Sequence, residues 1–398
     1  MQSNKPASIT ELPEADAHAL VHSQVLQQVI HSEIDANDGH ISFARFMQMA
    51  LYEPGLGYYS AGASKIGAGG DFVTAPEISP LFSICLARQC ADVLAALEQP
   101  VILELGAGTG VMACDVLQEL QRLDCLPQQY YILETSADLR HRQRQLLQAR
   151  LPELIARVQW LDALPLEPFV GVILANEVLD ALPVQRFCLY KEKIEELHVA
   201  WQDNAFVWQH CPADAVLAQQ VQTIIQHPLA EFVDGYTSEI NSDLAPWIKS
   251  LSDCLQQGLM LFVDYGYSRH EYYHEQRTQG TLLCHYRHRV HSDPFIYVGL
   301  QDITASVDFT AVAEAALSAD LRVSGFTSQA YFLIASGLEQ ILQEQVDLDA
   351  RQQLELSRQV KLLTMPDALG ERFKVIALSR EIDTVPRGFK LVDHRRRL

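Results

Sequence analysis

Apolar and polar positions follow a helical repeat in the first part of the chain. Residues 20–51 place apolar side chains on one helical face, which predicts a helical segment. Residues 52–76 are rich in glycine and polar side chains, as is typical of a loop. Ser79 and Pro80 then predict the start of a helix that reaches about Leu97, because serine favours the N-cap and proline the first helical position.

From residue 100 the pattern changes to short apolar runs that alternate with amphipathic helices. The predicted strands are 101–105, 130–133, 158–161 and 170–175, and the predicted helices are 111–123 and 136–149. Strands that alternate with helices in this way indicate a doubly wound, parallel α/β sheet. The chain has 398 residues, of which 48% are hydrophobic, so a sizeable core is available.

After residue 182 the pattern becomes mixed. It predicts a hairpin from K-I-E-E-L-H-V-A-W and A-F-V-W-Q around Q-D-N, helices over roughly 214–229 and 240–257, and a buried strand G-L-M-L-F-V-D-Y-G. Residues 266–308 are polar and rich in His and Tyr, which indicates an insertion. A helix over 309–319, a strand L-R-V-S-G-F-T, helices to about residue 363 and a last strand F-K-V-I-A-L complete the prediction.

Charge and cysteine content restrict the partner and the compartment. The net charge is −20, which repels phosphate backbones and disfavours nucleic acid as a partner. The eight cysteines form no C-x-x-C pair, and most lie in apolar patterns, as expected of buried thiols in a reducing compartment. The first residues show no secretory or transit pattern, and no uncharged apolar stretch reaches membrane-spanning length. We therefore expect a cytoplasmic protein without membrane insertion.

A glycine-rich turn after the first core strand predicts a ligand site. The stretch V-I-L-E-L-G-A-G-T-G-V contains Gly106, Gly108 and Gly110. A dinucleotide fold requires a small residue where Val111 stands, and a phosphate-binding P-loop requires a Lys that is missing after these glycines. The turn therefore favours a ligand without phosphate, with an NAD-dependent enzyme as the disfavoured alternative.

Three acids at the ends of successive strands favour S-adenosylmethionine (SAM). Glu104 could accept a hydrogen bond from the ammonium group of SAM, Glu134 from the two ribose hydroxyls, and Asp162 from the adenine amino group. The SAM carboxylate suits backbone N–H groups at a helix N-terminus. Each acid taken alone could instead be a helix N-cap, but the joint arrangement favours the cofactor.

The fourth strand ends in N-E-V-L-D-A-L-P, which predicts the acceptor site. Ligands lie outside the carboxyl ends of parallel strands, so Asn176, Glu177 and Asp180 should lie beside the cofactor. One helical turn could direct both carboxylates the same way. Two carboxylates would bind a guanidinium by paired hydrogen bonds and offset charge on the methylated nitrogen. This favours an arginine acceptor over a lysine or another amine. In the alternative, Asp180 caps a helix and only Glu177 meets the ligand.

These motifs resemble a known family. E-L-G-A-G-T-G, E-T-S and A-N-E-V-L-D-A-L-P are similar to class I SAM-dependent methyltransferases. Further blocks resemble the MidA-like family, the bacterial relatives of the mitochondrial complex I assembly methyltransferase, over residues 32–380. These blocks are L-Y-E-P-G-L-G-Y-Y (51–59), G-G-D-F-V-T-A-P-E-I-S-P-L-F (69–82), F-V-D-Y-G (262–266), Q-G-T-L (279–282), D-I-T-A-S-V-D-F (302–309) and G-E-R-F-K-V-I-A-L (370–378).

The resemblance implies a fold and a division of the chain. The fold is α/β, a Rossmann-like class I methyltransferase core with a mostly parallel seven-stranded sheet, helices on both faces, a helical N-terminal segment and insertions. The predicted parts are the helical segment and glycine-rich cofactor lid (1–78), the SAM-binding core (79–200), an insertion of hairpin and helices (201–258), and the rest of the core sheet with the polar insertion 266–308 and C-terminal helices (259–398).

The resemblance also implies roles for single residues. SAM would be held by Gly106, Gly108, Gly110, Glu134 and Asp162, its reactive end would be lined by Gly70, Asp71, Thr74 and Pro76, and the acceptor would face Asn176, Glu177 and Asp180. The acceptor would be an arginine on a protein, because the mitochondrial relative is a protein arginine methyltransferase acting on a complex I subunit. The family often has His at the position of Ser306, which bears on the choice of acceptor. A SAM-binding assembly factor with weak or no methyl transfer is the alternative.

Three further signals remain. The loop G-A-G-G-D-F-V-T-A-P-E is typical of a mobile lid with glycine hinges. Tyr58 and Tyr59 could flank a guanidinium, or pack in the core. Cys284, His285, His288 and His291 are metal-ligating types, but their spacing is irregular and arginines are interleaved, so we predict no metal.

Overall fold

The computed structural model of the chain describes residues 12–61, 73–191, 193–225, 232–345, 348–382 and 385–398. Its helices are α1 (Ala17–Ala36), α2 (Phe43–Tyr52), α3 (Ala75–Ile78), α4 (Pro80–Leu94), α5 (Val111–Arg122), α6 (Ala137–Arg150), α7 (Ala215–Ile225), α8 (Leu244–Cys254), α9 (Arg269–Tyr272), α10 (Phe309–Ser318), α11 (Gln329–Ala335), α12 (Leu338–Glu344) and α13 (Ala350–Thr364). Its strands are β1 (His40–Ser42), β2 (Val101–Leu105), β3 (Gln129–Leu133), β4 (Val158–Leu161), β5 (Phe169–Asn176), β6 (Gln185–Tyr190), β7 (Lys193–Gln202), β8 (Ala205–Pro212), β9 (Tyr236–Ile240), β10 (Leu255–Tyr267), β11 (Leu283–Tyr286), β12 (Arg289–His291), β13 (Asp302–Thr304), β14 (Val307–Asp308), β15 (Arg322–Ser328) and β16 (Phe373–Arg380).

The largest sheet has the strand order β15-β16-β10-β5-β2-β3-β4. Neighbouring strands from β10 to β4 pair in parallel, whereas β16 runs antiparallel to both β10 and β15. The two-residue strand β14 adds to the end of β10. The predicted seven-stranded, mostly parallel Rossmann-like core is confirmed, and its order reverses direction between β2 and β5, which is where α/β sheets bind ligands.

Alternate residues of the central strands pack into two separate hydrophobic cores on the two faces of the sheet. On β5, Val172 and Leu174 belong to one core and Ile173 and Ala175 to the other. This alternation follows from the two-residue repeat of a strand. One core continues into α4, α5 and the C-terminal helices, and the other into α8 and α10, so helices cover both faces.

Close strand contact at one end of this sheet depends on glycine. A Cβ atom added to Gly171 would lie 1.8 Å from the carbonyl oxygen of Val101, and one added to Gly258 would lie 1.9 Å from that of Gly171. Both residues have strongly positive φ angles. Only glycine adopts this backbone at so close an approach.

A smaller antiparallel sheet carries the N-terminal segment. Its order is β1-β7-β6-β9, and β8 pairs with the other edge of β7. Apolar side chains of α1 and α2 pack on it, so the helical segment and this sheet share one core. A third sheet, β12-β11-β13, lies within the polar insertion.

Two predicted helices differ from the structure. Residues 20–51 form two helices rather than one, because Asp38 (φ 56°) and Gly39 (φ 86°) make a turn before β1; an Asp-Gly pair is a turn signal. The prediction of a helix over 240–257 is correct only for 244–254. Its first residue, Ile240, ends β9, which is buried throughout, and its last three residues begin β10; short buried strands show no distinguishing repeat. The predicted continuation of α7 to residue 229 lies outside the described residues.

Candidate functional site

A cavity of about 340 Å³ opens at the carboxyl ends of β2, β3 and β5. Its walls come from the glycine turn, the end of β5, the segment before α4 and helices α2 and α8. Six predicted cofactor residues line it: Thr74, Pro76, Glu104, Gly106, Gly108 and Glu134. Asn176 and Glu177 line it as well. The parallel sheet therefore brings most of the predicted site residues together.

The glycine turn has the backbone that its sequence predicts. Gly106, Gly108 and Gly110 have φ angles of 61°, 53° and 87°, all in the left-handed region that favours glycine. The N–H of Gly106 donates to the carbonyl of Leu133 at 3.0 Å, which holds the turn against β3. Gly110 precedes α5 and supplies no side-chain cap, so the first N–H groups of α5 can serve a ligand carboxylate. Gly110 itself lies behind the cavity wall.

Glu104 presents one buried carboxylate oxygen to the cavity. Its side chain is fully buried, and Tyr130 Oη donates to its Oε2 at 2.6 Å. Its Oε1 has no hydrogen-bond partner among the described residues. Burial raises the pKa of Glu104 to about 7, although the Tyr130 bond opposes this. A buried acceptor of this kind fits an ammonium donor, as the sequence predicts.

Glu134 is held in place by a residue that the sequence did not single out. Its Oε1 accepts from the Ser136 N–H at 2.9 Å and its Oε2 from Gln143 Nε2 at 3.2 Å. Gln143 also donates to the Gly108 carbonyl at 2.9 Å, so it links the glycine turn to the acid at the end of β3. Burial raises the pKa of Glu134, and the Ser136 bond lowers it.

Asp162 does not reach the cavity. Its side chain is 91% exposed and pairs with Arg140 Nη1 at 2.7 Å. Its assignment to the adenine amino group stays a prediction. Near its expected position the wall is apolar and includes Leu164, Trp247 and Leu251. These side chains suit the flat face of a purine ring.

Two other predicted residues, Gly70 and Asp71, lie outside the described residues, as does the central part of the predicted lid, 62–72. The described end of that loop does meet the cavity. Thr74 precedes α3, and Pro76 is in its first turn. Glu77 of the same turn accepts a hydrogen bond from Thr109 Oγ1 in the glycine turn.

Glu177 is held in a strained conformation at the end of β5. Its φ angle is 53°, which is uncommon for a residue with a side chain, and its N–H donates to the Val263 carbonyl at 2.9 Å. Asn176 Nδ2 donates to Glu177 Oε1 at 3.1 Å. Burial raises the pKa of Glu177 to about 8, and repulsion by Asp180 is the second cause of this shift. Unusual backbone and a raised pKa in one cavity residue are typical of functional sites.

Asp180 is buried and does not line the cavity. Residues 177–182 form bends and turns, so neither the expected helical turn nor a helix capped by Asp180 is present. Burial raises the pKa of Asp180 to about 6. Asp264, which sequence reasoning missed, accepts from the N–H groups of Leu179 (2.9 Å) and Asp180 (3.2 Å) through Oδ2. Burial and repulsion by Asp180 raise the pKa of Asp264 well above its ordinary value.

Two tyrosines form an aromatic part of the cavity wall. The rings of Tyr52 and Tyr59 are stacked with centroids 5.5 Å apart. Tyr52 Oη donates to the Ala181 carbonyl and Tyr59 Oη to Asp302 Oδ1, both at 2.9 Å. The predicted pair was Tyr58 and Tyr59, but Tyr58 is fully buried. The blocks 51–59 and 302–309 contained these residues, although no local pattern assigned them to the site.

Three residues of the polar insertion that the sequence singled out do not line this cavity. Ser306 borders a second cavity of about 330 Å³, and its N–H donates to Thr281 Oγ1 at 3.1 Å. Cys284 and His291 face each other across β11 and β12. Within the described part of the insertion, three ligand atoms are not brought close enough together to hold a metal.

A Rossmann-like sheet, a glycine turn without phosphate-binding features and a buried acid at the first strand end define a SAM-type methyltransferase. The comparison with protein families agrees. The chain belongs to a family of S-adenosyl-L-methionine-dependent methyltransferases, whose model matches residues 85–327. SAM is therefore the cofactor, and the NAD-dependent alternative is excluded. The unpartnered Glu104 oxygen fits the ammonium group of this cofactor.

Relatives extend this similarity over most of the chain. The mitochondrial protein arginine methyltransferase NDUFAF7 of Danio rerio is 27% identical over 85% of this chain and 83% of its own length. The Drosophila melanogaster homologue is 27% identical over 92% and 88%. A crystal structure from Burkholderia thailandensis with bound S-adenosyl-homocysteine is 43% identical, covers 98% of this chain and 100% of that chain, and has a TM-score of 0.93.

Proposed function

We propose that this methyltransferase methylates the guanidinium group of an arginine on a protein substrate. The observation that carries the proposal is a cluster of three buried carboxyl groups, Glu177, Asp180 and Asp264, of which Glu177 lines the cofactor cavity. In the parts of the chain that the structure describes, no Lys or Arg lies within 4 Å of these three carboxyl groups. Their raised pKa values follow from burial without a compensating cation.

A guanidinium suits this cluster better than an ammonium group. It is planar, always charged and weakly hydrated, and it can donate two parallel hydrogen bonds to a carboxylate. The stacked rings of Tyr52 and Tyr59 add a flat aromatic surface to the cavity that Glu177 also lines. A lysine ammonium is a compact, strongly hydrated charge that gains less from such a wall.

Each residue then has a separate part in the reaction. The bound cofactor supplies an electrophilic methyl group. Glu177 accepts a hydrogen bond from an N–H of the guanidinium. This bond orients the guanidinium so that the nitrogen to be methylated faces the methyl group along the line of displacement. Repulsion by Asp180 raises the pKa of Glu177, and a bound guanidinium would offset this repulsion by favouring the charged form of the buried carboxyl groups. The proton released from the methylated nitrogen passes to Glu177, whose raised pKa makes it a suitable base near neutral pH.

The protein nature of the substrate is supported by the relatives. NDUFAF7 of Danio rerio and its Drosophila melanogaster homologue are named protein arginine methyltransferases. The net charge of −20 favours a basic, arginine-bearing partner over nucleic acid. The expectation of a cytoplasmic location stays a prediction from composition. In the described residues, no helix is long and apolar enough to cross a membrane.

Transfer of a labelled methyl group from SAM to proteins of a cell extract tests this proposal. Acid hydrolysis and mass spectrometry should identify methylarginine in the labelled product. The Glu177→Gln variant should lower the transfer rate about 100-fold and leave the SAM dissociation constant within twofold. Glu153→Gln, at an exposed glutamate after α6, is the matched control and should transfer at the wild-type rate.

Three results would contradict the proposal. Methyllysine as the product would identify a different acceptor. Normal transfer by Glu177→Gln would remove this carboxylate from the reaction. SAM binding without transfer to any protein would instead support the assembly-factor alternative.

A further inference from the structure

Three metal-ligating side chains from three different strands meet on one face of the smaller sheet. They are His40 of β1, His198 of β7 and Cys211 of β8, and their ligand atoms all lie within 4.8 Å of one another. β1 and β8 pair with opposite edges of β7. The strand register places all three side chains on the same face, because cross-strand partners and alternate residues share a face. The cluster is separate from the cofactor cavity.

The distances within this cluster are close to those of a coordination shell. His40 Nδ1 lies 2.8 Å from His198 Nδ1, and the other nitrogen of the same ring, Nε2, lies 3.9 Å from Cys211 Sγ, so His40 would give only one of these two nitrogens to an ion. A tetrahedral zinc ion with bonds of about 2.0 Å to nitrogen and 2.3 Å to sulfur separates its ligand atoms by roughly 3.3–3.6 Å. With one ligand atom from each residue, the three atoms lie within 4.8 Å of one another, a spacing that binding of the ion would tighten.

A carboxylate already orients one of the rings. Glu196 Oε2 lies 3.2 Å from His198 Nε2, which leaves Nδ1 of that ring facing the cluster. Glu196 is buried, and Gln185 Nε2 donates to its other oxygen at 3.1 Å. A carboxylate on the far nitrogen of a ligating histidine is the usual second layer of a zinc site, since it fixes the ring and raises its basicity.

We propose that His40, His198 and Cys211 bind one zinc ion, with Glu196 as the residue that positions His198. Two imidazoles and one thiolate form a donor set that zinc prefers, whereas Mg²⁺ and Ca²⁺ require oxygen ligands. The cluster is half-buried, so water can supply the fourth ligand. The three ligands are scattered at positions 40, 198 and 211, and no local spacing indicated them.

The site would fasten the N-terminal segment to the smaller sheet. β1 leads directly into α2, and the last residue of α2, Tyr52, lines the cofactor cavity. An ion that ties β1 to β7 and β8 therefore fixes the base of the helix that delivers this tyrosine. This role does not depend on which group the enzyme methylates.

Titration of the chelator-treated full-length protein with Co²⁺ tests the site directly. Wild type should bind one Co²⁺ per chain, with the thiolate-to-metal absorption of a four-coordinate site, and Zn²⁺ should displace it. Cys211→Ser should lose this absorption and bind at least tenfold more weakly, and His198→Asn should also bind at least tenfold more weakly. Cys125→Ser, at another half-buried cysteine, is the matched control and should behave as wild type.

A second measurement uses only the wild-type protein, so it does not depend on how the variants fold. Alkylation followed by mass spectrometry should modify Cys211 at least tenfold more slowly with Zn²⁺ than after chelation. The proposal is overturned if wild type shows no thiolate absorption, if Cys211→Ser retains it, or if Zn²⁺ leaves the alkylation rate of Cys211 unchanged.

Discussion

Replacement of Glu177 by glutamine should make the stability of the ligand-free protein less sensitive to pH. Burial raises the pKa of this carboxyl group from 4.5 to about 8 in the folded protein. The folded state therefore holds the proton more tightly than the unfolded state does. The stability gained from the protonated form is present below pH 4.5 and is lost as the pH rises through about 8.

The size of the effect follows from the pKa difference. A pKa difference of one unit between the folded and unfolded states corresponds to about 1.4 kcal/mol of stability. The shift of Glu177 from 4.5 to about 8 therefore contributes at most roughly 5 kcal/mol to the free energy of unfolding. Between pH 5 and pH 8, wild type should lose about 3 kcal/mol through this one group. A glutamine side chain has no charge to bury, so the variant should lack this loss. Any fixed cost of the buried amide cancels when the two pH values are compared.

Urea unfolding of both proteins at pH 5 and pH 8, followed by tryptophan fluorescence, measures this difference. The stability of Glu177→Gln relative to wild type should increase between the two pH values. Glu153→Gln should follow wild type, because Glu153 is exposed. Equal pH dependence in wild type and Glu177→Gln would refute the argument, since it would mean that water solvates the Glu177 carboxylate in the folded protein.

Three further predictions concern the cofactor, the acceptor and the fold. Glu104→Gln should weaken SAM binding at least tenfold in calorimetry, because a charge-assisted hydrogen bond contributes about 1.5–3 kcal/mol. The affinity of wild type for SAM should decrease as the pH is lowered from about 7, because Glu104 then takes up a proton. Constant affinity from pH 5.5 to 7.5 would contradict this. Tyr59→Phe removes the bond to Asp302 and should raise the acceptor KM about 3–10-fold in a transfer assay without changing SAM affinity. Gly171→Ala should lower the free energy of unfolding, measured with urea, by more than about 3 kcal/mol, because the new Cβ atom would clash with the Val101 carbonyl oxygen. Gly235→Ala, which has a positive φ but open space around it, should cost only about 1 kcal/mol; equal costs would refute the role of the contact.

The cofactor half of the site could be predicted from the sequence because it depends on local order. In a parallel sheet the carboxyl ends of all strands meet at one edge, so Glu104, Glu134 and the glycine turn converge whatever the details of packing. Asp162 shows the limit of that reasoning. Its strand ends where expected, but Arg140 holds its side chain on the exposed side.

The acceptor half depended on contacts between distant parts of the chain. Glu177 was predicted from its strand end, whereas Asp264 joins it only because β10 pairs with β5 in one particular register. Tyr52 and Tyr59 reach the site because α2 packs on the smaller sheet, a contact that no residue spacing encodes. Asp180 was placed on a helical turn that does not form, because N–H groups of this segment bond to Asp264 instead.

The sequence by itself determined the class of fold, the cofactor and the strand ends that line the cavity, because a two-residue or helical repeat and a glycine turn are local properties of the chain. Tertiary structure alone decided which acids and tyrosines gather around the proposed acceptor site, and it alone brought His40, His198 and Cys211 together. Those groupings depend on strand register and helix packing, in which residues far apart in sequence become neighbours through the burial of a shared core.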